Sequence, residues 1–339
     1  MDPFDPSYRA PGRAAREQAR RRRALRRRIG AVSVVMIVIA VVAVVVITTV
    51  GSGSTKHPHR DRRPVAAATH KHRATPARHR PASTADVLPP GSGSPGDATV
   101  PILMYHVINN PPAGAPFPLL YVAATEFDAQ MQALKQAGWH PVTLDQLWAN
   151  WTTGAKLPAG KPFVLTFDNG YYSQYASALP ELKRLHWVAD ENIQLSGLPP
   201  SQGGLTNQEI QAMVSAGWEL DTQGISHADL VELSSSELHD QVYHARRIIQ
   251  RRFHVPVNWF CYPSGQYDAA VIDTVKSAGY KGSTTVVPGW ASRSSDPYLL
   301  PRLRIVGGTS PSELLSQISS AQSEPAPPSS YTTSSPGVG

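Results

Sequence analysis

Residues 99–322 read as an α/β domain built on a parallel sheet, either a (β/α) barrel or a doubly wound sheet. Three observations carry this expectation. Apolar segments of strand length alternate about seven times with segments of helical period. The connections between them are short. The strand segments are continuous apolar runs without clean period-2 alternation, as in strands covered by helices on both faces.

The first strand is TVPILMYHVI, ending near His106. Thr125–Gly138 has Phe127, Met131 and Leu134 at helical spacing and is expected to be a helix. FVLTF (163–167) is a five-residue apolar strand ending at Asp168, Asn169 and Gly170. A helix follows over roughly Tyr172–Leu185, then the weak strand DENIQLSG. Thr206 with Glu209 forms a capping box that opens a helix ending at Gly217. WELDTQGISH is a strand and turn, and Ser234 with Glu237 opens a long helix to about Phe253. VNWFCYPSG is a strand, and Asp268–Ala278 is a helix closed by Gly279. GSTTVV, LPRLRIV and the helix Pro311–Ile318 complete the domain.

The rest of the chain is different in kind. The 339 residues carry Lys+Arg 32 against Asp+Glu 25, but the excess lies in the first third. Residues 1–29 hold ten arginines and three acids, and residues 51–98 eight Lys/Arg and three acids, which leaves 99–339 at net −5. No basic surface is left for nucleic acid, and no nucleic-acid partner is expected. Residues 30–50 are 21 residues without a charge, and at 1.5 Å per residue they span about 30 Å. With Arg20–Arg23 and Arg26–Arg28 just before them, they are expected to be an uncleaved transmembrane signal anchor in the cytoplasmic membrane. Residues 1–29 would then be cytoplasmic and the C-terminal domain extracytoplasmic. Residues 51–98, rich in His and Pro, have almost no large apolar side chain and are expected to be a disordered basic linker. The Ser/Pro/Gly-rich tail 323–339 is expected to be disordered too. A single cysteine, Cys261, excludes a disulfide framework and a cysteine-held zinc ribbon. Set in an apolar strand, it reads as an inert buried thiol.

In a parallel α/β fold, functional side chains lie just past the C-terminal ends of strands. Asp168 and Asn169, Gln223 to His227, Tyr262 to Gly265, and His106 all fall there. Each also has a plainer reading: Asp168 as a helix cap, His227 as a turn residue, His106 as a core histidine. His239, His244 and His254 read as surface residues. Trp218, Trp259 and Trp290 are either sugar-stacking platforms or core.

The series PILMYHVI, FVLTFDNGY, AGWELDTQGISHADL, FCYPSGQYD and AGYKGSTTV resembles the polysaccharide deacetylase (NodB-homology) family, carbohydrate esterase family 4, in the branch with an N-terminal YH motif. The resemblance covers about residues 99–307. It implies a distorted (β/α) barrel of about seven strands. It also implies hydrolysis of an N-acetyl group from an amino sugar, or of an O-acetyl ester, on a cell-envelope or surface glycan. In such enzymes a divalent metal, usually zinc, is held by an Asp and two His, beside an Asp general base and a His general acid. Carried over position by position, the base is Asp168, the acid is His106, and Tyr262 and Pro263 line the substrate groove.

The metal positions become Asn169, Gln223 and His227, of which only His227 keeps the ligand type. Neutral amides are poor zinc ligands beside carboxylate and imidazole. Zinc lowers the pKa of bound water from about 15.7 to about 7, roughly 12 kcal/mol of help in forming hydroxide. Asp221, at period 2 from Glu219 and Gln223, is a candidate substitute ligand with Asp168 and His227. Two functions follow from the resemblance: a membrane-anchored deacetylase using zinc, or a non-catalytic glycan-binding or envelope-assembly relative with no metal.

Overall fold

The computed structural model describes residues 93–196, 198 and 203–332. The anchor expected at 30–50 and the linker expected up to residue 92 lie outside the described residues. Among the described residues no helix is long and apolar enough to cross a membrane.

The frame is a run of parallel strands. β1 (Val100–Tyr105) pairs with β3 (Lys161–Asn169), β3 with β4 (Asp190–Ile193), β4 with β5 (Glu219–Thr222), β5 with β6 (Trp259–Cys261) and β6 with β7 (Gly282–Thr284). The stretch 300–305 joins the two ends. Leu300 forms a parallel bridge with Thr284 on β7, and β9 (Leu303–Arg304) pairs in parallel with β1. Seven parallel strands thus curve into a distorted barrel, which decides between the two architectures. Two short strands flank it. β2 (Trp139–Pro141) lies parallel to the start of β3, and β8 (Trp290–Ala291) antiparallel to the start of β1.

Both faces of β3 are buried, which is why its sequence shows no clean alternation. Leu165 and Phe167 face outward into a core shared with Phe127, Met131 and Leu134 of α1 (Ala124–Gln136). Thr166 and Asp168 face inward, where both meet Arg302. The remaining helices are α2 (Leu144–Thr153), α3 (Leu179–Leu185), α4 (Asn207–Ser215), α5 (Ser235–His239), α6 (Ala245–Phe253), α7 (Ala269–Ser277) and α8 (Pro311–Ser320). The expected capping boxes open α4 and α5. α2 is absent from the sequence reading, although Thr143 and Gln146 form a capping box of the same kind. The two long helices expected over 172–185 and 234–253 each contain a π-helical turn, at Gln174–Ala178 and Asp240–His244.

Two boundaries shift. Ordered contact begins inside the segment assigned to the linker: the Gly93 and Gly96 amides donate to Thr153 O and Asn150 O at 3.2 and 2.8 Å. The tail assigned as disordered from 323 is paired as far as Tyr331, which exchanges two backbone hydrogen bonds with Tyr267 at 2.8 and 2.9 Å. Apolar content, which suggested disorder, matters less here than a pair of free backbone groups and a tyrosine face to stack on at Tyr267.

Candidate active site

β3 delivers Asp168 into the barrel and ends on Asn169. Asp168 is 1 % exposed, and every hydrogen-bond partner of its carboxylate is a donor. Arg302 Nη1 donates to Oδ1 at 2.7 Å and Nη2 to Oδ2 at 2.8 Å. Asn192 Nδ2 donates to Oδ1 at 2.9 Å, and the Cys261 thiol to Oδ2 at 3.4 Å. Burial alone would raise the Asp168 pKa. The charge and hydrogen bonds of Arg302 outweigh it and hold the carboxyl well below its usual range. Arg302 is itself oriented by donating to Thr285 O and Thr166 Oγ1. The sequence reading missed Arg302, whose contact with Asp168 spans 134 residues.

His106 follows β1, is wholly buried, and neither ring nitrogen has a hydrogen-bond partner. Burial drives its pKa down to about 3, against the pull of Asp168 and reinforced by Arg304, Arg302 and His227. These same groups define the company it keeps. At neutral pH the imidazole is therefore uncharged in this structure. Gln174, also missed, ties the strand ends together by donating to His106 O and Asp168 O, both at 2.8 Å.

The two amides at the expected metal positions are engaged with the protein. The Asn169 side chain donates to Gln194 Oε1 at 2.7 Å, and its backbone N–H donates to Gln223 Oε1 at 3.1 Å. Gln194 passes the chain on to Ser196 O at 2.8 Å. His227 joins this cluster, its pKa lowered by burial against the opposing charge of Asp168. His227 Nε2 and Asn169 Oδ1 are buried without a partner. Among the described residues, five non-glycines have positive φ. His186 and His254 terminate helices; Asn169 (φ 78°), His227 (φ 52°) and Ser264 (φ 54°) stand at the barrel mouth. Left-handed backbone at ordinary side chains concentrates at functional sites.

Two expected members are elsewhere. Asp221 Oδ1 accepts from the Asn258 and Trp259 amides at 3.1 and 2.9 Å. It groups with Asp190 and Glu219, near the beginnings of β4 to β6, so the alternative set of Asp168, Asp221 and His227 is not assembled. The reason is the neighbourhood: two unpaired amides at the start of β6 draw its carboxylate away from the mouth. Tyr262 is fully buried, its hydroxyl donating to Tyr298 O and its ring packed 4.9 Å from Tyr267. Strand parity explains this: Cys261 points inward to Asp168, so its neighbour Tyr262 points into the outer core. Pro263 is buried as well, so neither lines an open groove.

Cys261 is buried, and burial raises its pKa. Trp218 stacks on Phe167 at 5.0 Å and Trp259 is 1 % exposed, which makes both core. The open surface beside the site is instead a cavity of about 530 Å³ whose lining includes Val107, Asn109, Tyr172, Ser173 and Glu209. Tyr172 is 48 % exposed there and offers an aromatic face.

Zinc fits these residues poorly. At the three expected metal positions the unpartnered donors are one imidazole nitrogen and one neutral amide oxygen, both oxygens of the neighbouring Asp168 are held by Arg302, and Arg304 adds positive charge; the other unpartnered imidazole here, His106, stands at the expected acid position.

Comparison with known proteins agrees with this fold. Residues 156–283 match the family model for polysaccharide deacetylase. The Bacillus subtilis protein YxkH, assigned to the polysaccharide deacetylases, is 29 % identical over 214 residues, 63 % of this chain and 74 % of its own. The Streptococcus pyogenes deacetylase PplD, solved with acetate, is 27 % identical with a TM-score of 0.60, covering 66 % of this chain and 99 % of PplD. The Bacillus anthracis protein BA0330, assigned to the polysaccharide deacetylases, is 26 % identical with a TM-score of 0.58, over 66 % of this chain and 69 % of its own. The barrel, its strand-end residues and these likenesses together support a protein of the polysaccharide deacetylase (NodB-homology) family, the family-model match lying within residues 156–283.

Proposed function

We propose that this protein is a membrane-anchored, extracytoplasmic member of the family that binds an acetylated cell-envelope or surface glycan without hydrolysing it. The observation that carries this reading is the hydrogen-bonded pair Asn169 and Gln223, standing where two metal ligands would stand. Without a Lewis acid at that place, the roughly 12 kcal/mol that zinc contributes to forming hydroxide has no substitute in a carboxylate locked to Arg302. The unpartnered acceptors at His227 and Asn169 and the exposed Tyr172 face suit the hydroxyl groups and apolar faces of a sugar. The uncharged run 30–50 and the arginines before it support the anchor and the orientation.

A hydrolytic reading has its own support in the intact Asp168–Arg302 pair with His106 beside it. The full chain, given an N-acetylated oligosaccharide or cell-wall glycan with zinc, cobalt or manganese, separates the two. The binding reading expects retention on the glycan and no release of acetate; metal-dependent acetate release would replace it with the hydrolytic one. Asn169→Asp combined with Gln223→His is expected to raise zinc affinity at least 100-fold by calorimetry. No gain would mean that these two residues do not occupy the ligand positions.

A further inference from the structure

The helical run after the His227 loop changes its winding in the middle. α5 passes into α6 through the π-helical turn Asp240–His244. Residues five apart on an α-helix point roughly 140° away from each other. The wider π turn, bonded i to i+5, brings them to one side. His239 and His244 are such a pair, and their rings lie 5.7 Å apart, centroid to centroid, at 78°.

Asp240 stands between them. Its Oδ1 is 3.9 Å from His239 Nδ1 and 3.5 Å from His244 Nε2. Both separations are too long for a good hydrogen bond. They are close to the edge of a coordination tetrahedron: with ligands about 2.0–2.2 Å from zinc, the ligand atoms sit roughly 3.3–3.5 Å from one another. Two imidazoles on such an ion have centroids about 5 Å apart. One ligand atom from each of the three residues lies within 4.8 Å of the others. Two imidazoles and one carboxylate form a donor set suited to zinc. Tyr243 holds the rings in place, stacked on His239 at 4.9 Å and edge-on to His244 at 5.5 Å. All three candidate ligands are more than half exposed, so an ion can enter and water can complete the shell.

We propose that His239, Asp240 and His244 form a divalent-metal site, filled best by zinc with water as the fourth ligand, separate from the pocket at His227. The site stands on the turn that holds the His227 loop. Gln241, inside the turn, accepts from the Ile225 and Ser226 amides at 3.0 Å each and donates to Ser226 Oγ at 3.0 Å.

The test uses the full chain with His57, His59, His70, His72 and His79 changed to Asn, which removes the linker histidines as competitors. Zinc titrated by calorimetry is expected to bind once per chain in the micromolar range. His239→Ala and His244→Ala should each weaken that binding at least tenfold, Asp240→Asn should weaken it as well, and His227→Ala should leave it unchanged. Cobalt should give a visible absorption band that disappears with His244→Ala. The assignment is overturned by the absence of saturable zinc uptake, or by uptake that survives His239→Ala and His244→Ala but is lost with His227→Ala. Circular dichroism of these surface variants separates lost binding from lost fold.

Discussion

Arg302 and Asp168 form a doubly hydrogen-bonded ion pair with both partners at 0–1 % side-chain exposure. Taking the two charges out of water is costly, and the pair offsets that cost only while both members are present. Arg302→Met leaves a buried carboxylate facing Asn192 and a thiol. The expected loss is about 3–5 kcal/mol, read by urea denaturation. Arg302→Lys should fall between, because an ammonium keeps the charge but not the fork that meets both oxygens. If Arg302→Met were as stable as the parent, Asp168 would have to be uncharged in the folded protein. The same residues mark what a linear reading can see. Asp168, Asn169, Gln223 and His227 stand at strand ends in short recognisable strings, and the structure gathers them. Arg302 lies in LPRLRIV, where nothing local distinguishes an inward arginine from a surface one. Tyr262 failed by one step of strand parity, which slides unseen when both faces of a strand are apolar.

At the level of elements, seven rounds of strand and helix were legible because each strand is an uninterrupted apolar run and several helices announce their starts with capping boxes. The two π turns were not, since an added residue per turn leaves the hydrophobic period nearly unchanged over so short a span. The C-terminal strap was missed on composition. Pro and Ser are poor core formers, yet two backbone hydrogen bonds and a ring contact at Tyr267 hold Tyr331. Tyr267 is fully buried, and its hydroxyl donates to Pro328 O at 2.8 Å. Removing residues 324–339 takes away that bond and the two backbone bonds to Tyr331, and uncovers the ring. At roughly 0.5–1.5 kcal/mol per hydrogen bond, the shortened chain should lose about 2 kcal/mol or more. Thermal denaturation checks this, and an unchanged melting temperature would show that the strap contributes nothing to stability.

Across the whole molecule, titrating groups of opposite tendency are buried at separate places in the barrel. Near the strand beginnings, burial and mutual repulsion raise the pKa values of Asp190 and Asp221, and burial with the Asp145 charge raises Glu219 to about 8. These carboxyls hold their protons more tightly folded than unfolded. Their contribution is complete below about pH 4 and is lost as pH rises through the folded values, about 8 for Glu219. At the mouth, His106 and His227 are pushed down and Asp168 is held down, so acid destabilises there: the histidine contribution fades as pH falls below about 6.5, and that of Asp168 below about 4. Above pH 6.5 the buried carboxyls with raised pKa values are still changing, the cluster together with Glu191, which burial and the charge of Asp168 push up as well. The melting temperature should therefore fall between pH 6.5 and 8, with each such proton worth about 1.4 kcal/mol per pH unit, and Glu219→Gln should flatten the slope. A flat profile in the parent protein would mean that these carboxylates ionise freely in the fold.

The stretch 300–305 both completes the circle of strands and carries the guanidinium that neutralises Asp168. Closure over so long a sequence separation carries a loop-closure entropy cost and is expected to come late in folding. A chain still folding would have made six of its parallel staves before this last one arrived. Until then its interior would hold a carboxylate with no countercharge and stay soft. Docking of the final stave hardens the vessel and readies the mouth in a single event, so half-made copies have no finished pocket with which to compete for ligand.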